Sequence, residues 1–164
     1  MNPDWTVWDY ELDMFNALLP EFHSADFSQY PLRVRNAVVE SFLLHTRQLA
    51  DILRSSDHGD GDDVKLDKLL TGFTPPHLDE FKRSYGRRDD PDSPRYIINK
   101  RLMHPTNIRT DSFNYTEMVE KKLRVVMQLC FDEVETERIS RGEGQMKRSE
   151  SWLLTLVNLS TSSR

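Results

Sequence analysis

The chain has 164 residues, of which 37% are hydrophobic, and its 22 basic and 27 acidic side chains leave a net charge of −5. A chain of about 150 residues buries roughly two thirds of its unfolded surface, so this composition can supply one core in one domain. The acidic balance excludes a wholly basic nucleic-acid coat, and the single cysteine, Cys130, excludes an internal disulfide and a multi-cysteine zinc site. The acidic start lacks the pattern of a signal peptide, and no apolar run approaches the roughly 20 residues of a membrane span. We therefore expect a cytoplasmic protein that does not enter a membrane.

Helical periodicity predicts the first two elements. A helix is expected over residues 5–19, ending within a residue or two of Pro20. A second helix is expected over about 31–55, with an apolar face so wide that it must pack against several neighbours. The predicted stripe of this core helix contains Val34, Val38, Phe42, Leu49 and Ile52.

An acidic segment, DHGDGDD at 57–63, follows the second helix. Its four aspartates and two glycines suggest a calcium loop, but the glycine position of the EF-hand template holds Asp62 and the bidentate acid position holds Lys68. We therefore predict an exposed linker and no metal site.

Four further helices are predicted along the rest of the chain. A short one covers 64–70, and the next begins with Thr74 as cap and Pro75 in the first turn and ends near Tyr85. The others run from Pro94 to His104 and over about 113–138. The last helix is expected to bury a stripe of Met118, Leu123, Val126, Cys130 and Val134, widened by Val119, Leu129 and Phe131.

Alternating strand patterns are absent, so the prediction is an all-α, single-domain antiparallel bundle of four to six helices over residues 1–139. Residues 140–164 form a polar linker and a short apolar segment, 152–159, that docks on the bundle, binds a partner or sits loosely.

Two residues of the core helix are candidates for chemistry. His45 points with the apolar stripe, and it is either a core histidine held by a neighbouring helix or the wall of a polar pocket. Arg47 lies about 200° further around the helix and can pair with Asp51, four residues on. No glycine-rich phosphate loop, HExxH, GxSxG or CxxC motif is present, and Cys130 on its apolar face is expected to be inert.

The segment 82–109 is basic, with eight basic against three acidic residues, so the rest of this acidic chain is near −10. Tyr85 and Tyr96 lie among these charges and could stack on nucleic-acid bases. The pattern is that of a phosphate-binding face, or equally of a solvated helix surface. The candidate binding residues are Arg95, Asn99, Lys100, Arg101, His104 and Arg109.

Two motifs carry a resemblance. ESFLLHTRQLADIL at 40–53 and INKRLMHPTNIR at 98–109 resemble a group of small, uncharacterised bacterial helical proteins that pair an ESFLxHxRxLxDF-like helix with an NKxxxHxTxxR segment. The matching residues are Glu40, Ser41, Phe42, Leu43, His45, Arg47, Leu49 and Asp51, then Asn99, Lys100, His104, Thr106 and Arg109. This resemblance implies an all-α fold and brings no activity.

More distantly, the chain resembles HEPN-type helical domains, many of which cut or bind RNA. The catalytic HEPN signature places an arginine four to six residues before a histidine. Here Arg95 precedes His104 by nine residues and Arg101 precedes it by three, and Pro105 stands where the closer group has an apolar residue.

Three functions are therefore open, none needing a cofactor. The first is a non-catalytic helical domain that binds RNA or a partner protein, with His45, Asn99 and His104 forming a buried hydrogen-bond network. The second is a homo-oligomeric scaffold joined through the apolar faces. The third is a metal-independent ribonuclease in which His104 transfers the proton and Arg47 or Arg109 offsets charge on the phosphate.

Overall fold

A computed structural model of the chain describes residues 3–24, 26–54, 63–102, 118 and 123–143. Over these residues the fold consists of six α-helices and one 3₁₀ turn, without strands, which confirms the predicted all-α class. The helices are α1 (Thr6–His23), α2 (Leu32–Arg54), α3 (Leu66–Leu69), α4 (Leu78–Tyr85), α5 (Pro94–Leu102) and α6 (Arg124–Ser140), and the 3₁₀ turn covers Phe27–Gln29. No helix within the described ranges is both long and apolar enough to cross a bilayer.

The first helix begins where predicted but runs further. Asp4 Oδ1 accepts the backbone N–H of Thr6 at 2.9 Å, which satisfies one of the amides left open at the helix start. The helix then continues through Pro20 to His23, so the predicted end at Pro20 is wrong. Pro20 removes one backbone N–H donor and crowds the preceding turn, and the helix ends three residues later, at His23.

The second helix is the centre of the fold, as predicted, because α1, α3, α4 and α5 all pack against it. Its buried side chains begin at Phe42 and continue to Leu53. The predicted stripe is wrong at Val34, which is 40% exposed, as is the neighbouring Leu32 at 64%. The neighbours bury this face of the helix fully from Phe42 onwards and cover it only partly at Val38 and Val39. Helical periodicity gives the direction of a side chain but not whether another helix covers it.

The first helix lies between α2 and α6 and runs antiparallel to both. Phe15 stacks on Phe42 with ring centroids 5.0 Å apart, and its edge meets Phe131 of α6 at 5.5 Å. Towards the start of α1, Trp8 also packs on Phe131 and donates its indole N–H to Glu135 at 2.8 Å. Contacts nearer the start of α1 therefore fall nearer the end of α6, as expected for antiparallel helices.

The later helices keep their predicted order but not all of their bounds. The chain makes a turn over 75–77, closed by the Leu78 N–H bond to the Pro75 carbonyl at 3.0 Å, so α4 starts at Leu78 and not at Pro75. The predicted stripe of α6 is buried at Leu123, Val126, Cys130 and Val134, together with Met118 before it. Of the residues predicted to widen the stripe, Phe131 is buried, whereas Leu129 is 38% exposed and the prediction for it is wrong. The end of the predicted helix to His104, the start of the helix over 113–138, most of the acidic linker and the segment 152–159 lie outside the described residues.

Candidate functional site: an arginine-lined pocket between α2, α4 and α5

A small pocket of about 110 Å³ opens where α2, α4, α5 and the 86–93 loop meet. Its walls come from two residues of α2, the last residue of α4, one loop residue and two residues of α5. They are Arg47, Asp51, Tyr85, Arg88, Arg95 and Asn99. Three of these, Arg47, Arg95 and Asn99, are candidates from the sequence, and the fold brings them together.

Helical spacing explains why each helix supplies two neighbouring side chains. Arg47 and Asp51 are four residues apart on α2, and Arg95 and Asn99 are four apart on α5, so each pair lies on one helical face. The Arg47 Nε lies 3.5 Å from Asp51 Oδ2, in a pair that keeps part of its surface in water. The predicted Arg47–Asp51 pair is confirmed, and it forms one wall of the pocket.

The inner side of the pocket is aromatic. Tyr85 is only 1% exposed, and its ring stacks on Phe81 with centroids 5.5 Å apart. The Arg54 guanidinium lies 6.0 Å from the same ring, and Arg54 Nη1 donates to the Gly86 carbonyl at 3.3 Å. The expectation that Tyr85 stacks on nucleic-acid bases is therefore wrong, because its ring belongs to the core.

The phenol of Tyr85 stays neutral. Burial, helped by the negative charge of Asp51, raises the pKa of Tyr85 above its ordinary value, although Arg95, Arg47 and Arg54 act in the opposite direction. A neutral phenol both donates and accepts a hydrogen bond. The aromatic inner side of the pocket thus carries no charge.

The loop between α4 and α5 is fixed by one serine. Ser93 Oγ lies 2.5 Å from the Arg87 carbonyl and 2.9 Å from the Asp90 carbonyl, and it accepts the N–H of Tyr96 at 3.1 Å as the cap of α5. The loop approaches Ser93 so closely that a Cβ at Gly86, whose φ is +79°, would lie 2.5 Å from the Cβ of Ser93. This packing holds the segment that carries Arg88 into the pocket wall.

The pocket is positively charged. Three arginines face one aspartate, so the lining carries a net charge of +2 when Asp51 is ionised. Loss of water around its carboxylate raises the pKa of Asp51, while Arg47, Arg95 and Arg54 pull it down. Guanidinium groups donate in a planar fork that matches carboxylate and phosphate oxygens, so the arrangement can bind a small anion.

His45 does not belong to this pocket. Its imidazole is 4% exposed, and Nδ1 lies 2.7 Å from Glu11 Oε2 of α1, with the ring of Tyr10 against it. The interpretation of His45 as a core histidine held by a neighbouring helix is confirmed, and the expected opposite directions of His45 and Arg47 are found. Glu11, which the sequence pattern did not single out, is the partner of this histidine.

The remaining candidates divide into two groups. Lys100 lies on α5 outside the pocket lining, with Nζ 5.7 Å from the ring centroid of Tyr96. The side chain of Arg101, and all of His104 and Arg109, lie outside what the structure describes. The expected link between His45 and Asn99 is wrong, because His45 bonds Glu11 of α1 and Asn99 lines a pocket from which His45 is absent. The part of His104 in that network stays a prediction.

Arg88 is the residue that sequence reasoning missed. In the sequence Arg88 is one of eight basic residues of segment 82–109, and nothing in a loop sequence tells which way a side chain points. For Asp51 and Tyr85 the sequence predicts other roles, a surface partner for Arg47 and a stacking platform for bases. The available signal was the clustering of arginine on both sides of Gly86.

The described part of the chain holds no cluster of metal ligands and no accessible thiol. No three His, Cys, Asp or Glu side chains there come together as metal ligands. Cys130 is fully buried in α6, and this burial raises its pKa to about 12, which keeps it a thiol.

A scan against protein-family models, a search of curated proteins and a search of solved structures each return no match to this chain. The resemblance to the bacterial helical group and to HEPN domains therefore stays a prediction.

Proposed function

We propose that this protein is a non-catalytic helical domain that binds RNA through its phosphates. The observation that supports this most is the convergence of Arg47, Arg88 and Arg95 on one pocket with a single aspartate. The protein as a whole is acidic, so this positive site is local and not a by-product of a basic surface.

The position of the pocket within the chain supports RNA over a protein partner. Arg88, Arg95 and Asn99 belong to the basic segment 82–109, and Lys100 follows directly on α5. Every nucleotide of an RNA strand supplies a phosphate to such a positive surface, whereas an acidic peptide offers irregularly spaced carboxylates. Arginine is also the side chain best matched to phosphate oxygens.

The described residues give little support to catalysis. His45, the histidine of α2, is buried against Glu11, and no histidine lines the pocket among residues the structure describes. A ribonuclease of the HEPN type would need His104 to act without the arginine that its signature places four to six residues earlier.

The test is fluorescence anisotropy of a short single-stranded RNA in a chelator across a range of salt. For single strands the logarithm of the binding constant falls by about 0.7 per contacted phosphate for each unit of log salt. Arg95→Gln should weaken binding and make this slope shallower by about 0.7. Arg33→Gln, an exposed arginine about 21 Å along α2 from Arg47, is the matched control and should bind like the unchanged protein.

Three results would contradict the proposal. One is no RNA binding at low salt, and another is an equal loss in Arg33→Gln and Arg95→Gln. The third is cleavage of the RNA that disappears in His104→Ala, which would make the protein a nuclease. Protein capture without RNA binding would favour the partner-protein alternative.

A further inference from the structure

We infer that the Arg47–Arg88–Arg95 pocket is a site for the terminal phosphate of an RNA strand, a phosphomonoester, and not for an internal phosphodiester. This inference rests on the proposed RNA-binding function and specifies which group of the RNA enters the pocket.

The size of the pocket limits its occupant. Pockets that take a whole drug-sized molecule or cofactor measure roughly 300–1,000 Å³, whereas this one measures about 110 Å³. A base and its ribose are too large for that space. A single tetrahedral oxyanion is a group of suitable size, with the rest of the strand left outside.

The charge of the pocket matches a phosphomonoester. A phosphate ester with a free end carries about −1.5 to −2 at neutral pH, because its second pKa lies near 6. An internal phosphodiester carries only one negative charge. The lining, with Arg47, Arg88 and Arg95 against Asp51, carries +2 and so balances the charge of the terminal group.

The shape of the site points the same way. The three arginines come from three different parts of the fold, namely α2, the 86–93 loop and α5, and therefore approach an anion from separate directions. The buried ring of Tyr85 lies on the inner side. An internal phosphate has two strand connections that must both leave through the mouth of the pocket, whereas a terminal phosphate has one.

The experiment compares competitors of one sequence. Oligoribonucleotides with a 5′-phosphate, with a 3′-phosphate and with hydroxyl groups at both ends displace a labelled RNA from the full chain. A phosphate-ended strand should compete at least about tenfold better than the hydroxyl-ended strand, since a hydrogen bond to a charged group contributes about that factor. Inorganic phosphate should reduce this preference.

Two variants locate the effect. Because Arg88 lies in an exposed loop, Arg88→Gln should leave the melting temperature of the protein unchanged and abolish the preference for a phosphate end. Arg95→Gln should lose the same preference. Arg33→Gln, outside the pocket, should retain it.

The outcomes distinguish failure of the terminal-phosphate site from failure of the proposed RNA binding. Equal competition by all three strands overturns the terminal-phosphate site but leaves RNA binding intact. An unchanged preference in both Arg88→Gln and Arg95→Gln overturns the assignment to this pocket. Absence of any RNA binding overturns the proposed function itself. A preference for only the 5′- or only the 3′-phosphate supports the inference and identifies which end of the RNA strand enters the pocket.

Discussion

Replacing Glu11 by alanine tests whether His45 has a structural role. The two side chains join α1 to α2, with 2.7 Å between His45 Nδ1 and Glu11 Oε2, and both are largely shielded from water. Glu11→Ala leaves a buried imidazole nitrogen without its partner, which costs about 1–3 kcal/mol of the free energy of unfolding. For a protein of 150–250 residues this corresponds to a fall in melting temperature of about 2–12 °C.

The assay is urea and thermal unfolding followed by circular dichroism, on Glu11→Ala, His45→Ala and the double variant. Because each single change already breaks the pair, the double variant should lose less stability than the sum of the two, with a coupling free energy above about 0.5 kcal/mol. Asp13→Ala, two residues further along α1 and exposed, is the control and should stay within about 0.5 kcal/mol of the unchanged protein.

Additive losses in the double variant would refute the reasoning, because they would show that the two side chains do not support each other. A His45→Ala protein that keeps its stability but loses RNA binding would also refute it, since His45 would then act on the ligand.

Two further predictions concern the core and the loop. Burial raises the pKa of Cys130 to about 12, so this thiol should resist thiol reagents in the folded protein and react after unfolding in urea; rapid labelling of the native state would contradict its burial. Because the unfolded chain releases this proton at a lower pH than the folded protein, the free energy of unfolding should fall as the pH rises from 9.0 towards about 12. Urea unfolding across this pH range, compared with Cys130→Ala, measures the effect. Gly86→Ala should lower the melting temperature more than Gly72→Ala, because both glycines have positive φ but only at Gly86 does a new Cβ meet Ser93; equal losses would show that backbone conformation alone decides the effect.

Local rules predicted much of the fold. Apolar spacing located α2 to within a residue at its start and gave the buried stripe of α6, because the helical period is a property of each segment. The same geometry predicted that His45 and Arg47 point apart and that Arg47 reaches Asp51. Local rules failed at Val34, because the covering of a helix face depends on where its neighbours pack.

The candidate site shows the same division. The sequence by itself determined that Arg47 pairs with Asp51 on one face of α2 and that Arg95 and Asn99 share one face of α5, since a single helix fixes the relative directions of its own side chains. Only the tertiary structure decided that the two pairs face each other, that the 86–93 loop adds Arg88, and that Tyr85 is buried beside them. These contacts join segments far apart in the chain, and their formation depends on how α2, α4 and α5 pack, which no local pattern of residues specifies.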